Sequence, residues 1–377
     1  VRVAVTGATG LVGGRVVEAA RAAGHDVVAV TRPGSGDPGA PLLVGGLPVP
    51  RRTADLTDQG ALVAALEGCD GLVHCAAVYA FGAARAQEVS RVNGDGTRSV
   101  LAAAARAGVR RAVVTSSSVT RGSSGAARSR TEHDVLGDEP APAYYASKVA
   151  QEEVTLEASS AHGIPVVLAL PTVVLGGPFA RLAPSNAIVL RYLLDPTRST
   201  FPGGCNVVDV RDVGAGHVAL LERGTPGERY LLGGEDVTWR TLHTLVSDLA
   251  GLPGPFAELD APNAWAVAAA SEWWASLTGA SPLSTRDEAT TVGRFYWYSS
   301  AKATDLGYAA RPARAAVASS LAWLAVGPDL PRWAREGLRL HPEVRAAREL
   351  VPAPLVEADA VSPRPRRSPP AWPRRRR

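Results

Sequence analysis

The first thirteen residues constrain this chain more than any other stretch. An apolar run, VRVAV, passes directly into Thr6-Gly7-Ala8-Thr9-Gly10-Leu11-Val12-Gly13, and a helical pattern follows. Strand, tight glycine turn and helix in that order make one unit of a parallel α/β layer. Gly7 permits the turn, Gly10 lets backbone approach a pyrophosphate, and Gly13 lets the helix lie close on the sheet. The helix N-terminus then offers unpaired N–H groups and the positive end of its dipole to phosphate. The spacing is GxxGxxG, not GxGxxG, and a chain with 38 glycines throws up such triplets in loops. The strand before and the helix after mark this one as a dinucleotide cradle.

The rest of the first half repeats the alternation. Apolar runs at 27–30, 71–75, 112–115 and 165–170 read as strands, with a further element at 51–54. Helical patterns lie near 11–23, 58–67, 84–107 and 144–161, and the Gly/Pro-rich stretch 33–50 reads as a long loop. The expected fold is α/β: a doubly wound parallel sheet covered on both faces, with a smaller, mostly helical C-terminal region. Residues 1–170 form the expected dinucleotide-binding domain, with 206–232 returning to it. Segments 171–205 and 233–326 form the substrate-binding region, and 327–350 a helical extension. The Pro/Arg-rich remainder, 351–377, reads as a disordered tail.

Composition excludes several classes. Hydrophobic residues at 46% and charged residues at 20% are those of a globular chain, not a wholly disordered one. No run of about 18 uncharged apolar residues is present, so no membrane partner is expected. The immediate entry into a strand leaves no room for a signal peptide, and three cysteines without metal-ligand spacing suit a reducing cytosol. A cytoplasmic location and no metal are therefore expected. The net charge of +4 belongs to the tail, where seven Arg face only Glu357 and Asp359. The body carries no nucleic-acid footprint.

The second strand ends Val30-Thr31-Arg32-Pro33, without the carboxylate that binds a ribose 2′-hydroxyl. A guanidinium there suits a 2′-phosphate, so Arg32 favours NADP (as NADPH) over NAD, although a solvated loop arginine would look the same. Asp55 and Leu56 stand where they could flank the adenine. Further on, Tyr144-Tyr145-Ala146-Ser147-Lys148 opens a helix and sets Tyr144 and Lys148 one turn apart on one face. A phenol with its usual pKa of about 10 is a poor acid–base group until a nearby ammonium lowers it. Upstream, 112–118 is a buried strand ending in hydroxyls at the carboxyl edge of the sheet, where open α/β sheets bind ligands.

With TGATGLVG, VHCAA at 73–77, VNGDGT at 92–97, VVTSSSV at 113–119 and YYASK in this order, the chain resembles the extended short-chain dehydrogenase/reductase family, which has the Rossmann fold. The resemblance spans roughly 1–326. It implies a catalytic set of Ser117, Tyr144 and Lys148, with Ser118 the alternative serine, and Asn93 holding a proton-relay water. It also implies cofactor contacts from the turn residues Thr6, Gly7, Thr9, Gly10, Leu11, Val12 and Gly13, and from Arg32, Asp55, Leu56, Ala76, Lys148 and Pro171.

Within that family the runs at 170–179, 228–238 and 299–308 are similar to dihydroflavonol-reductase-like enzymes and to proteins labelled hopanoid-associated sugar epimerases. The chain departs from the family pattern in its loop 119–140 and at Asp209, where many relatives have His. It also carries Pro171-Thr172 where nucleotide-sugar epimerases carry an asparagine for the nucleotide diphosphate. Three functions stay open: an NADPH-dependent ketoreductase acting on a bulky, largely apolar polyketide- or flavonoid-like substrate of secondary metabolism, a nucleotide-sugar epimerase with tightly bound NAD, and a catalytically silent dinucleotide sensor. The expected partner is a small-molecule substrate, and the expected state a monomer or homodimer. Aromatic segments at 265, 273–274 and 295–298 suggest that at least one of Trp273, Trp274 and Trp297 lines the substrate cavity.

Overall fold

The computed structural model describes residues 1–35, 41–44, 46–78, 86–137, 142–177, 182–279, 282 and 284–349. The expected tail, 351–377, lies outside the described residues, as do 138–141 of the distinctive loop and 178–181 of the segment after Pro171.

The first half runs β1 (Arg2–Thr6), α1 (Leu11–Ala22), β2 (Asp26–Thr31), β3 (Leu42–Val44), β4 (Leu47–Val49), β5 (Arg51–Thr53), α2 (Gln59–Leu66), β6 (Gly71–His74), α3 (Ala86–Ser90), α4 (Gly96–Arg106), β7 (Arg111–Thr115), α5 (Ala143–His162) and β8 (Val166–Pro171). The second half runs β9 (Val173–Leu175), α6 (Pro184–Leu194), β10 (Ser199–Thr200), β11 (Gly204–Asp209), α7 (Val210–Arg223), β12 (Arg229–Leu232), β13 (Glu235–Thr238), α8 (Trp239–Ala250), β14 (Ala257–Glu258), α9 (Ala261–Thr278), α10 (Arg286–Ala289), β15 (Phe295–Tyr296), α11 (Ala301–Thr304), α12 (Ala313–Leu324), α13 (Arg332–Glu336) and α14 (Pro342–Glu349).

Seven parallel strands form one sheet in the order β12-β8-β7-β6-β1-β2-β5. Strands such as VVLALP are buried along their whole length because both faces are covered, which is why they read as continuous apolar runs. Helices α2, α4 and α5 cover one face; α1 and α7 pack together on the other. The order reverses between β1 and β6, and this switch point lies beside the glycine turn.

The C-terminal half adds a second sheet, in which β11 pairs antiparallel with β13 and parallel with β9 and β15. Of the returning segment 206–232, α7 and β12 join the large sheet, whereas β11 belongs to the small one. The described part of the extension, 327–349, packs on this half: Leu330, Ala334 and Val344 are buried in one core with α6, α8 and α12. Within 33–50 the chain makes a β3–β4 hairpin instead of a plain loop. Val44 and Val49 are buried against the large sheet's core, and Gly46 takes the positive φ of the turn. Among the described residues no helix is long and apolar enough to cross a membrane, and no cluster of ligating side chains could hold a metal.

Candidate active site

The glycine turn is built for close approach. Gly7 has φ +70°, and a Cβ there would lie 2.8 Å from the Ala76 backbone nitrogen. A Cβ on Gly13 would fall on the Gly7 carbonyl oxygen, and the Gly10 N–H donates to that same oxygen at 2.9 Å. Gly10 is the N-cap of α1 and supplies no side-chain oxygen, and no acidic residue stands in the first turn. The first-turn N–H groups therefore have no capping side chain, and a dinucleotide pyrophosphate fits this cradle. Thr9 and Gly10 are exposed at its lip, while Leu11 and Val12 pack below against Val174, Val208, Val210 and Val213. The Thr6 hydroxyl turns inward to His74 Nδ1 at 2.7 Å.

At the other end of the cradle Arg32 is exposed just past β2. A second guanidinium, Arg51, lies beside it on β5, with Nε donating to Thr31 Oγ1 at 2.9 Å and NH2 to the Ser35 hydroxyl at 2.9 Å. Asp55 accepts from the backbone and hydroxyl of Thr57, and those bonds, with Arg91 and Arg32 nearby, hold its carboxyl below the usual range. Leu56 packs on Gly96 at the start of α4.

The reactive side groups converge at the carboxyl ends of β6 and β7. Ser117 caps a 3₁₀ turn over 118–121 and is only partly buried; its hydroxyl accepts a long bond from the Val119 N–H at 3.4 Å. Ser118 is buried and hydrogen-bonds the Tyr298 hydroxyl. Tyr298 in turn donates to the Gly122 carbonyl at 2.7 Å. Of the two serines, Ser117 is the more exposed.

Tyr144 lies 6% exposed in the first turn of α5, edge-on to Tyr145, whose other side meets Tyr296 with centroids 6.0 Å apart. One turn on, Lys148 donates to Gln151 Oε1 at 2.7 Å and to the Thr115 carbonyl at 3.4 Å. Burial pushes its ammonium down to about 8, with Glu152 opposing.

A buried chain runs on from Lys148. Gln151 Nε2 donates to Thr97 Oγ1 at 3.1 Å, and Thr97 donates to the Asn93 carbonyl at 2.6 Å. With its one proton so used, Thr97 must accept from His74 Nε2, 3.2 Å away, which leaves His74 Nδ1 to accept from Thr6. Burial pushes His74 down to about 3, so the ring is neutral, as this pattern needs. Asn93 sits in a π-helical turn, Arg91–Asp95, of the kind often found at functional sites. Both ends of its amide are engaged by Val78, at 2.8 Å and 2.9 Å. Its side chain therefore pins the strand end 74–78, and its backbone carbonyl is the atom turned into the network.

Pro171 closes β8, and Thr172 donates its hydroxyl to Asn206 Oδ1 at 2.8 Å. Trp297 donates Nε1 to the Val237 carbonyl at 3.1 Å. Trp273 and Trp274, 63% and 62% exposed on α9, face solvent and not an enclosed cavity. The ring of Tyr145 adjoins Tyr144, and that of Tyr296 lies beyond it against Tyr145.

The sequence profile of the NAD-dependent epimerase/dehydratase family matches residues 3–233. The chain belongs to that family. This family member is 31% identical over 325 residues to a Synechocystis sp. protein assigned as a dihydroflavonol 4-reductase, covering 85% of this chain and 93% of that one. It is 29% identical over 324 residues to the 4-hydroxy-2-methyl-3-oxo-4-farnesyl-3,4-dihydroquinoline-1-oxide ketoreductase of Stigmatella aurantiaca, covering 82% and 92%. Among solved structures, a nucleoside-diphosphate-sugar epimerase from Pseudomonas aeruginosa is similar at a TM-score of 0.68 and 26% identity, covering 88% and 99%. The protein is an NAD(P)-dependent oxidoreductase of the extended short-chain dehydrogenase/reductase type.

Gln151, Thr97, His74 and Arg51 were not singled out from the sequence. Gln151 had one usable signal, its place three residues after Lys148 on the same helix face. The others carry no local signal, because their partners are distant in the chain.

Proposed function

We propose that the protein is an NADPH-dependent reductase of a ketone on a bulky, largely apolar substrate. The observation that carries this reading over nucleotide-sugar epimerisation is the Thr172–Asn206 bond. It occupies the hydroxyl that stands where an epimerase would offer a diphosphate-binding amide. The Tyr145 ring beside Tyr144, with Tyr296 against Tyr145, suits apolar contact, and the Stigmatella relative, a ketoreductase by name, supports the reaction class.

The cradle at 7–13 holds the pyrophosphate, Arg32 the 2′-phosphate, and Asp55 and Leu56 flank the adenine. Bound there, NADPH supplies the hydride that reduces the carbonyl carbon. Ser117 hydrogen-bonds the substrate oxygen and orients it. Tyr144 gives its phenolic proton to that oxygen as negative charge develops, and is reprotonated from solvent. Lys148 favours the resulting phenolate by its charge and holds the nicotinamide ribose. Asn93 supports the relay through its backbone carbonyl. Three free cysteines support a cytosolic site of action.

Two measurements test this. NADPH should bind about 10- to 100-fold more tightly than NADH, the range expected for charge-assisted bonds to one phosphate, and Arg32→Ala should erase most of the difference. Equal affinities in the wild type would remove the assignment of Arg32. Titrating the NADPH complex with α-tetralone should give turnover, whereas UDP-glucose should not bind. Micromolar UDP-glucose binding, with a nicotinamide that survives purification, would favour the epimerase.

A further inference from the structure

We propose that Glu152 is a positioning residue that acts through Ser117, anchoring the serine's segment to the helix that bears Tyr144 and Lys148. The proposal rests on the reductase reading only for Ser117's role.

Glu152 follows Lys148 by one turn of α5, so Tyr144, Lys148 and Glu152 stand on successive turns. It is 1% exposed. A carboxylate with no access to water must have its lone pairs filled by the protein. Here four donors do so. Oε1 accepts from Ser116 Oγ at 2.7 Å and lies 2.7 Å from Thr120 Oγ1, whose single proton is shared between Oε1 and the Ser117 carbonyl 2.8 Å away. Oε2 accepts from Arg121 NH2 at 3.0 Å and from Arg229 Nε at 2.7 Å.

Three of those donors belong to one six-residue segment, 116–121, and they bracket Ser117 on both sides. The Ser117 hydroxyl takes part in the long bond to Val119, while the Ser117 carbonyl accepts from the Thr120 hydroxyl at 2.8 Å and the Thr120 N–H at 3.2 Å, so its position is set largely by its clamped neighbours. Arg121 extends the clamp, donating to the Glu132 carbonyl at 3.2 Å and the Asp134 carbonyl at 3.0 Å, while Arg229 ties in the edge strand β12. Through this carboxylate the serine's segment is tied to the helix that carries Tyr144, alongside the Lys148 bond to the Thr115 carbonyl. Misplacing a reacting group by about 1 Å costs on the order of 10²-fold in rate, so such an anchor matters to turnover even though it touches no substrate.

Glu152→Gln keeps the volume, but its amide has a single acceptor oxygen and turns an NH2 toward two arginines. With the full-length protein, NADPH and α-tetralone, kcat should fall about 10- to 100-fold while the NADPH dissociation constant stays within about twofold. In a Ser117→Ala background the same change should cost less than about threefold, because the group it positions is gone. Ser116→Ala removes one donor to Oε1, spares both ion pairs and should show the same pattern at smaller size; it serves if Glu152→Gln does not fold.

Amide hydrogen exchange gives a readout that needs no turnover. Residues 117–121 should exchange at least about tenfold faster in the variants, with the 7–13 turn unchanged. Unchanged exchange at 117–121, or equal kcat losses with and without Ser117, would overturn the proposal. A wild type that reduces no ketone would sink the reductase reading instead, and exchange alone would then decide the anchor.

Discussion

Tyr144→Phe is expected to lower kcat for ketone reduction by about 10²- to 10⁴-fold, the usual worth of a positioned acid, and to leave the NADPH dissociation constant within about twofold. The substitution removes one oxygen and keeps the ring that packs edge-on against Tyr145. The helix, the Lys148–Gln151 bond and the glycine cradle do not depend on that oxygen. Single-turnover measurement with saturating NADPH separates chemistry from cofactor binding. A variant retaining most of the wild-type single-turnover rate would show that another group delivers the proton. Loss of NADPH affinity in parallel with rate would show that the ring, and not its hydroxyl, matters.

Much of this site is legible in the sequence because its parts are local. The glycine turn, the strand end at Ser117 and the Tyr144/Lys148 pair each lie within one turn or one strand end, where spacing alone sets geometry. The alternation of apolar runs with helical patterns likewise predicts the parallel sheet, since strands covered on both faces cannot alternate in polarity.

What spacing could not convey is pairing across the chain. The Lys148–Gln151–Thr97–His74–Thr6 chain joins four elements, and Gln151, Thr97 and His74 taken singly are ordinary polar residues in a helix or strand. The β3–β4 hairpin was hidden by its glycines and prolines; its burial comes from packing on the core, not from its own pattern. Two of the three tryptophans differ in the opposite sense. Trp273 and Trp274 read as a pocket wall by residue type, yet α9 packs chiefly on α10 and leaves both rings outside. Residue type gives affinity for an apolar neighbour and says nothing about which one is supplied.

Lys148→Met should separate activity from stability. Activity falls on two counts: kcat drops by about 10²- to 10⁴-fold because no ammonium favours the phenolate, and NADPH affinity weakens because the ribose loses a donor. This second loss distinguishes it from Tyr144→Phe. Stability behaves otherwise. Burial lowers the folded-state pKa of Lys148 from 10.5 to about 8, so at neutral pH the fold carries a charge that water would hold more favourably. A shift of that size corresponds to a penalty on the order of 3 kcal/mol. Methionine relieves it, at the cost of leaving Gln151 Oε1 and the Thr115 carbonyl without this donor, so the two effects offset and the melting temperature should change little at pH 7. The sign with pH follows from the lowered pKa. Below about 8 both folded and unfolded lysine are charged and the penalty is present in full. Between about 8 and 10.5 only the unfolded state holds the proton, and the wild type gains stability relative to the variant as pH rises. Chemical denaturation of both proteins at pH 7 and pH 9.5 measures this difference. A wild type that gains nothing on the variant over that interval would mean that Lys148 is held charged by its surroundings, with Glu152 outweighing burial.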